Sequence, residues 1–525
     1  MTDTQTDAAG KADGPGGPGG AGRASRLVRG WSANLVQMVL GLTQQLLLIP
    51  AFLHVWSGDV LAAWLAIYAA GCLVVVADAG LQLRAVNRFL AFKSCVDCDG
   101  RTASFYGRML QVYVRGVGLL SVVLLAGAYV ARPSQVLGFH AMPTFDAALL
   151  VTTVGMLLSL PGNLVSGLYR VRGQYGRIVW LQNATLLLSQ IAQLAALAVF
   201  GSLLAVAIAF IAMQLSFTVF MITFDAPRLF PFLRRGGSRS APLSWRWGIG
   251  QFGRAFPFAV GNITELALVN VPVLLVSALV TDRVAVAQWG LTRVIAGLAR
   301  GLCMQATVPL AAELGHDYAV GDTERLRRLY AQGSVFVTVI ASLFVAGLLP
   351  FWPDFFVLWT HGSIPYDWAL TVTLLLGSAA VAPSLLALAF ANHSNRRDLL
   401  IRTKGLQLVV FLVLSLVLIP RLGSLGVALA VVTSDVFVQF GLLALVVITQ
   451  TLRHPLRHIA FVTFVAVAIV LSGWLLGTAI TELVPGQGLA HFVVECVIWL
   501  IVVGVLASPL AMTGLRRFLI DVIPR

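Results

Sequence analysis

Fourteen mostly apolar stretches follow one another along this chain, near residues 32–54, 60–80, 108–131, 145–168, 178–200, 202–224, 255–280, 284–305, 330–352, 366–390, 399–419, 424–448, 459–481 and 489–513. A helix needs about 20 apolar residues to cross a bilayer core about 30 Å thick. No water reaches that core to satisfy backbone N–H and C=O groups, so spanning segments are helices or the strands of closed barrels. Barrel strands need only about 10 residues, and these runs are too long for that. The expected fold class is therefore an all-α membrane protein with 14 transmembrane helices. The chain is 11% charged, against about 25% in soluble domains, and no stretch is left over for a soluble domain of useful size.

The basic residues test this count. With a cytoplasmic N-terminus and fourteen spans, 33 of the 36 lysines and arginines fall on the cytoplasmic side or in the helix halves leading to it. Only Arg132, Arg283 and Arg421 fall outside. Such a split follows the positive-inside rule, and one missed helix would scramble it. It points to an inner membrane with both termini cytoplasmic. It also accounts for the net charge of +14 by attraction to an anionic leaflet, with no nucleic-acid partner required.

Residues 1–30, Gly-rich and polar, are expected to form a disordered cytoplasmic tail. Spans one to six (31–224) are expected to form an N-lobe and spans seven to twelve (254–450) a C-lobe. A basic cytoplasmic linker (225–253) joins them, and 451–525 supplies spans thirteen and fourteen with a cytoplasmic C-terminus. Trp64 in span two and Trp289 in span eight sit at similar depths, each followed one turn on by Tyr68 or Arg293, which hints at a parallel six-helix repeat. Cys95 and Cys98 form a lone CxxC without a second ligand pair, so no metal site and no cofactor is expected.

Four stretches carry a family resemblance: AWLAIYAAGCLVVVADAGLQLRAVNRFLA, LPGNLVSGLYRVRGQYGRIVWLQ, VPLAAELGHDYAVGDTERLRRLY and LVLIPRLGSLGVALAVVTSDVFVQF. In this order, with fourteen spans, they resemble the O-antigen and exopolysaccharide flippases. These are the oligosaccharide-lipid branch of the multidrug/oligosaccharidyl-lipid/polysaccharide (MOP) flippase superfamily. The resemblance implies two six-helix lobes around a central cavity, with two extra C-terminal helices. Read physically, Ile419–Pro420 ends a helix before a tight Gly423/Gly426 turn. DTERLRRL reads as an amphipathic helix on the inner surface.

Polar residues inside the spans are the candidate site. Asn34, Gln37, Gln44 and Gln45 share one face of span one, and Gln37, Gln44 and Gln45 are expected to meet substrate with Asn262 of span seven. Glu265 lies mid-membrane in span seven, Asp78 at the inner end of span two and Asp435 in span twelve; these three are the candidates for ion coupling. Asp78 also reads as an interfacial salt bridge or a helix cap. Arg293 and Arg300, seven residues apart, share a face of span eight. Arg293 is too deep to reach the headgroups and either pairs with Glu265 or contacts a substrate anion. Arg300 either snorkels to the headgroups or joins it in binding substrate. Gly297 and Gly301 would let a neighbouring helix approach closely. Glu495, in the C-terminal pair, reads as structural.

A guanidinium suits phosphate oxygens. With the resemblance, this gives a flippase for a polyprenyl-diphosphate-linked oligosaccharide in exopolysaccharide, O-antigen or capsule synthesis. Its expected partners are that lipid-linked substrate, bilayer lipids, a coupling H+ or Na+ and a polysaccharide polymerase complex. No Gly-Lys-Ser/Thr phosphate loop is present, so direct ATP use is not expected. A multidrug antiporter for small organic cations is the alternative. A membrane glycosyl polymerase or ligase is a second one, disfavoured by short outer loops without a nucleophile and base; an enzyme is not expected.

Overall fold

In a computed structural model, the residues described are 18–93, 95–236, 245–394, 396–484, 486, 488–508 and 523. Among them fourteen helices are long and apolar enough to cross a membrane. They are Val36–Val55, Gly58–Asp78, Cys98–Ala131, Phe145–Val171, Tyr175–Phe200, Leu203–Leu229, Ala259–Leu279, Arg283–Val320, Thr323–Thr360, Trp368–His393, Arg397–Leu422, Ser424–Thr451, Pro455–Leu483 and Leu489–Ala507, spans one to fourteen below. The all-α reading with 14 spans holds. The end of the bundle that carries most lysines and arginines is called the basic face.

Packing repeats between the halves. Span one packs on five, two on four, three on four, four on six and five on six. In the second half seven packs on eleven, eight on ten, nine on ten, ten on twelve and eleven on twelve. The parallel repeat hinted at by Trp64 and Trp289 thus appears as one packing scheme used twice. Span two joins the lobes by packing on seven and eight, while thirteen and fourteen lie against nine. A large apolar cluster crosses between the lobes, with Trp56, Trp64, Trp289, Trp352 and Trp359 in it. Near the face opposite the basic one, Arg283 donates to Leu137 O, Ser277 Oγ donates to the same carbonyl, and Trp359 Nε1 donates to Leu46 O.

Several boundaries differ from expectation. The helix of span one begins at Pro18, taking in part of the segment read as a tail; proline suits a first helical turn, and residues 1–17 lie outside the described residues. The linker carries short helices at Ala226–Leu229 and Phe232–Gly236, and the helix of span seven starts at Trp245. The DTERLRRL segment forms the first turns of span nine rather than a separate surface helix: Asp322 caps it, and no proline intervenes before Pro350. Span eleven runs through Pro420 to Leu422 and ends at Gly423. There Gly426 packs so closely on span eleven that a Cβ would lie 2.6 Å from Leu418 O.

Candidate functional site

Three breaks in helix geometry shape the lobe interface. Span two leaves α geometry at Val75–Asp78, and Ala79 (φ 45°) and Gly80 (φ +75°) turn the chain into a helix over Leu81–Lys93. Gly80 is pressed against span seven, where a Cβ would sit 2.7 Å from Ala255 O, so positive φ and close approach both demand glycine. Span four changes direction at Leu160–Pro161. Span twelve widens into a π-helix over Asp435–Ala444, a form often found at functional sites.

Beside the first two of these breaks lies a cavity of about 410 Å³. Span two and its turn line it with Asp78, Gly80 and Gln82, span four with Asn163, and span seven with Asn262, Glu265 and Val269. Two of the ion-coupling candidates and the candidate substrate residue Asn262 therefore share one cavity between the lobes. Among the described residues Asp78 makes no ion pair, with Arg84, Arg88 or any other cation. Its carboxylate accepts from Tyr113 Oη and, at 3.2 Å, from the backbone N–H of Gln82, so it caps the helix that follows. At the basic mouth, Arg84 donates to Gln251 Oε1 at 3.0 Å. Burial, and then the neighbouring Arg88 and Arg254, hold Arg84 below the usual arginine range.

Behind Glu265, four charges meet inside the C-lobe. Glu265 Oε1 is 2.6 Å from Lys404 Nζ, and Glu265 Oε2 is 3.1 Å from Arg300. Arg300 also pairs with Asp435 at 2.9 Å. Buried amides complete the set: Lys404 donates to Gln407 at 3.0 Å and to Gln439 at 2.6 Å, Gln407 donates to Asp435 at 2.5 Å, and Gln439 donates to Ser384 at 2.8 Å. At a rise of 1.5 Å per residue, Asp435 is about 17 Å and Glu265 about 21 Å from the helix ends opposite the basic face. The cluster thus lies within the hydrocarbon zone, where charges pair with one another or with backbone carbonyls.

Arg300 therefore does not snorkel; two carboxylates hold it inside. Arg293 does not pair with Glu265. It donates to Val269 O and, at 3.4 Å, to Asn270 Oδ1, both uncharged, and has no carboxylate partner among the described residues. Tyr68 and Cys72 of span two lie within electrostatic range of it, so Arg293 sits where span two meets the C-lobe. Arg293 donates to the backbone carbonyl of Val269, a residue that lines the cavity, without lining the cavity itself. Gly297 and Gly301 face open space, so no described helix uses them for close approach.

Of the span-one candidates with described side chains, neither Gln37 nor Gln44 lines this cavity. Gln37 is exposed and Gln44 half-buried; the side chains of Asn34 and Gln45 lie outside the described residues. Glu495 is buried beside His491 at 3.2 Å in span fourteen, far along the chain from the cavity. The sequence reading missed Lys404, Gln407, Gln439 and Asn163. Lys404 had a usable signal: it follows Arg402 by two residues and begins the polar pair Lys404/Gln407 on one helical face.

No protein-family model matches the sequence, and no characterised relative matches it. Solved structures do. The lipid II flippase MurJ in an inward closed conformation superposes with a TM-score of 0.66 at 12% identity, over 92% of this chain and 100% of that one. The two share a fold. A multidrug resistance MATE family transporter of the MOP superfamily, in an inward-facing conformation, gives 0.60 at 13% identity, over 82% and 98%. A single-residue mutant of the Vibrio cholerae MATE transporter VcmN gives 0.52 at 15%, over 82% and 98%. The chain is a multi-pass membrane protein with the fold of these structures, as the resemblance implied. Both lipid flippases and multidrug transporters are among these structures.

Proposed function

We propose that this chain is an inner-membrane flippase for a polyprenyl-diphosphate-linked oligosaccharide, serving synthesis of an exopolysaccharide, O-antigen or capsule. The observation that carries this reading is Arg293, a cation deep between the lobes whose partners among the described residues are neutral. An uncompensated guanidinium there leaves the site short of one negative charge, which a diphosphate supplies. Three intramembrane acids near the cavity are engaged already: Glu265 and Asp435 with cations, Asp78 with Tyr113 and a backbone N–H. An organic cation would have to displace one of those partners, which weighs against the multidrug alternative of the same fold. Among the described residues, none lining the cavity supplies a nucleophile with an adjacent base, as the polymerase or ligase alternative would require.

In this reading the basic face is cytoplasmic. Arg84, Arg88 and Arg254 attract the headgroup there, the polar cavity passes the glycan, and the polyprenyl tail stays in the bilayer. The lobes rock about the contacts of span two, and H+ or Na+ coupling falls to Glu265, with Asp78 and Asp435 as further candidates. The test is reconstitution in vesicles with a fluorescent polyprenyl-diphosphate sugar and, in parallel, an organic dye cation. Movement of the lipid and not of the dye supports the flippase. Dye extrusion without lipid movement would install the multidrug alternative.

A further inference from the structure

The four charges behind the cavity are not equivalent. The side chains of Lys404 and Asp435 are 2% and 9% exposed, whereas those of Arg300 and Glu265 are 21% and 32% exposed. Asp435 is tied to the buried amide of Gln407, and Lys404 spends its three N–H donors on Glu265, Gln407 and Gln439. Glu265 alone in the cluster lines the cavity, and its side-chain partners among the described residues are the two cations. It can rotate into the cavity without breaking a hydrogen bond to any buried amide. With Glu265 ionised the cluster sums to zero charge. With Glu265 neutral, Arg300 and Lys404 face the cavity with a net charge of +1.

We infer that Glu265 is an exchangeable internal anion. It occupies a second phosphate-binding site, built from Arg300 and Lys404, and vacates that site when a proton neutralises it. The inference rests on the reading of the substrate as a phosphate-bearing anion. Arg300 lies seven residues from Arg293 on span eight, about 10 Å along the helix axis. The helix thus carries two anion stations on one face: the deeper one at Arg293 has no carboxylate partner among the described residues, and the one nearer the basic face is closed by Glu265 until a proton arrives. The exchange balances: Glu265 gains a proton and loses two ion pairs, and phosphate oxygens accept from the same two cations. The other titratable groups that the structure places by Glu265 are Asp78 of span two, across the same cavity, and Asp435 of span twelve, on the far side of Arg300. Asp78 and Asp435 each stay on a hydrogen-bond donor that does not involve Glu265.

A proton on Glu265 and an anion on Arg300/Lys404 favour each other, so anion affinity is highest at low pH. It falls as pH rises from the titration of Glu265 in the free protein to its higher titration beside a bound anion, by at most about tenfold per unit.

The test uses the purified full chain with inorganic pyrophosphate as the probe. Affinity is measured by calorimetry for wild type and Glu265→Gln from mildly acidic to mildly alkaline pH. The probe's own protonation is common to both proteins and cancels in the ratio. Glu265→Gln should bind about tenfold or more tightly than wild type at the alkaline end, with the gap narrowing toward the acidic end, and Glu265→Gln/Lys404→Met should lose the gain. Should the variant fail to fold, wild type alone decides: binding should take up a proton, read from the dependence of the heat on buffer. Equal affinities at all pH, or binding with no proton uptake, overturns the inference and leaves the anionic-substrate reading standing. No pyrophosphate binding by either protein overturns both.

Discussion

Lys404→Met is the sharpest perturbation of the cluster. Methionine keeps most of the side-chain volume and removes the charge and all three donors. Lys404 is buried, and it leaves behind Glu265, Gln407 and Gln439 as acceptors. Removing one partner of a buried ion pair costs about 3–5 kcal/mol. Arg300 remains on Glu265 at 3.1 Å, and Glu265 faces the cavity, so the low end applies: about 3 kcal/mol, or about a hundredfold in the folding equilibrium. In Lys404→Met/Glu265→Gln, Arg300 and Asp435 still neutralise each other. The double variant should lose only about 1 kcal/mol, less than Lys404→Met alone, so the second change rescues the first. The assay is a denaturing-detergent titration in mixed micelles, followed by helix content, for wild type, both single variants and the double. A Lys404→Met protein as stable as wild type, or a double variant that loses the sum of the singles, would refute the cluster as a coupled unit.

Arg293→Ala should abolish lipid transport in the vesicle assay while leaving the fold intact, since its partners Val269 O and Asn270 are neutral; Arg293→Lys should restore part of it, because a point charge replaces a bidentate fork. Gly80→Ala should destabilise the protein by about 1–3 kcal/mol, from strained φ and a clash with Ala255 O; a melting temperature equal to wild type would show that span two can shift off span seven. Single cysteines at Arg397 and Arg421, in a cysteine-free background, should label from opposite sides of the membrane, the first from the cytoplasm; labelling of Arg397 from the outside would reverse the proposed orientation.

The spans were legible because the property that defines them is physical: about 20 apolar residues and one backbone solution. What composition could not give was where a helix stops once it leaves the hydrocarbon. Spans eight and nine run for 38 residues each, span eight straight through Pro309 and span nine with no proline before Pro350, so an apolar count marks neither of their ends at the basic face. The pairing of Arg300 rather than Arg293 with Glu265 was within reach of the sequence and follows from register. Spans seven and eight are antiparallel across a tight turn between Leu279 and Arg283. Counting back fourteen residues reaches Glu265; counting forward fourteen reaches Gly297, at the same level. Arg300 lies three residues toward the basic face from that level, and Arg293 four residues away from it, about 5 Å and 6 Å respectively. Distance alone hardly separates them. Side-chain tilt does. Every Cα–Cβ bond leans toward its own helix N-terminus, so Glu265 leans toward the basic face, and both arginines lean the other way. Arg300 and Glu265 therefore lean into each other, while Arg293 leans away, toward Val269 and Asn270, where it is found. Depth argued that Arg293 most needed an acid; direction gave the acid to Arg300 and left Arg293 as the cation that a substrate must answer.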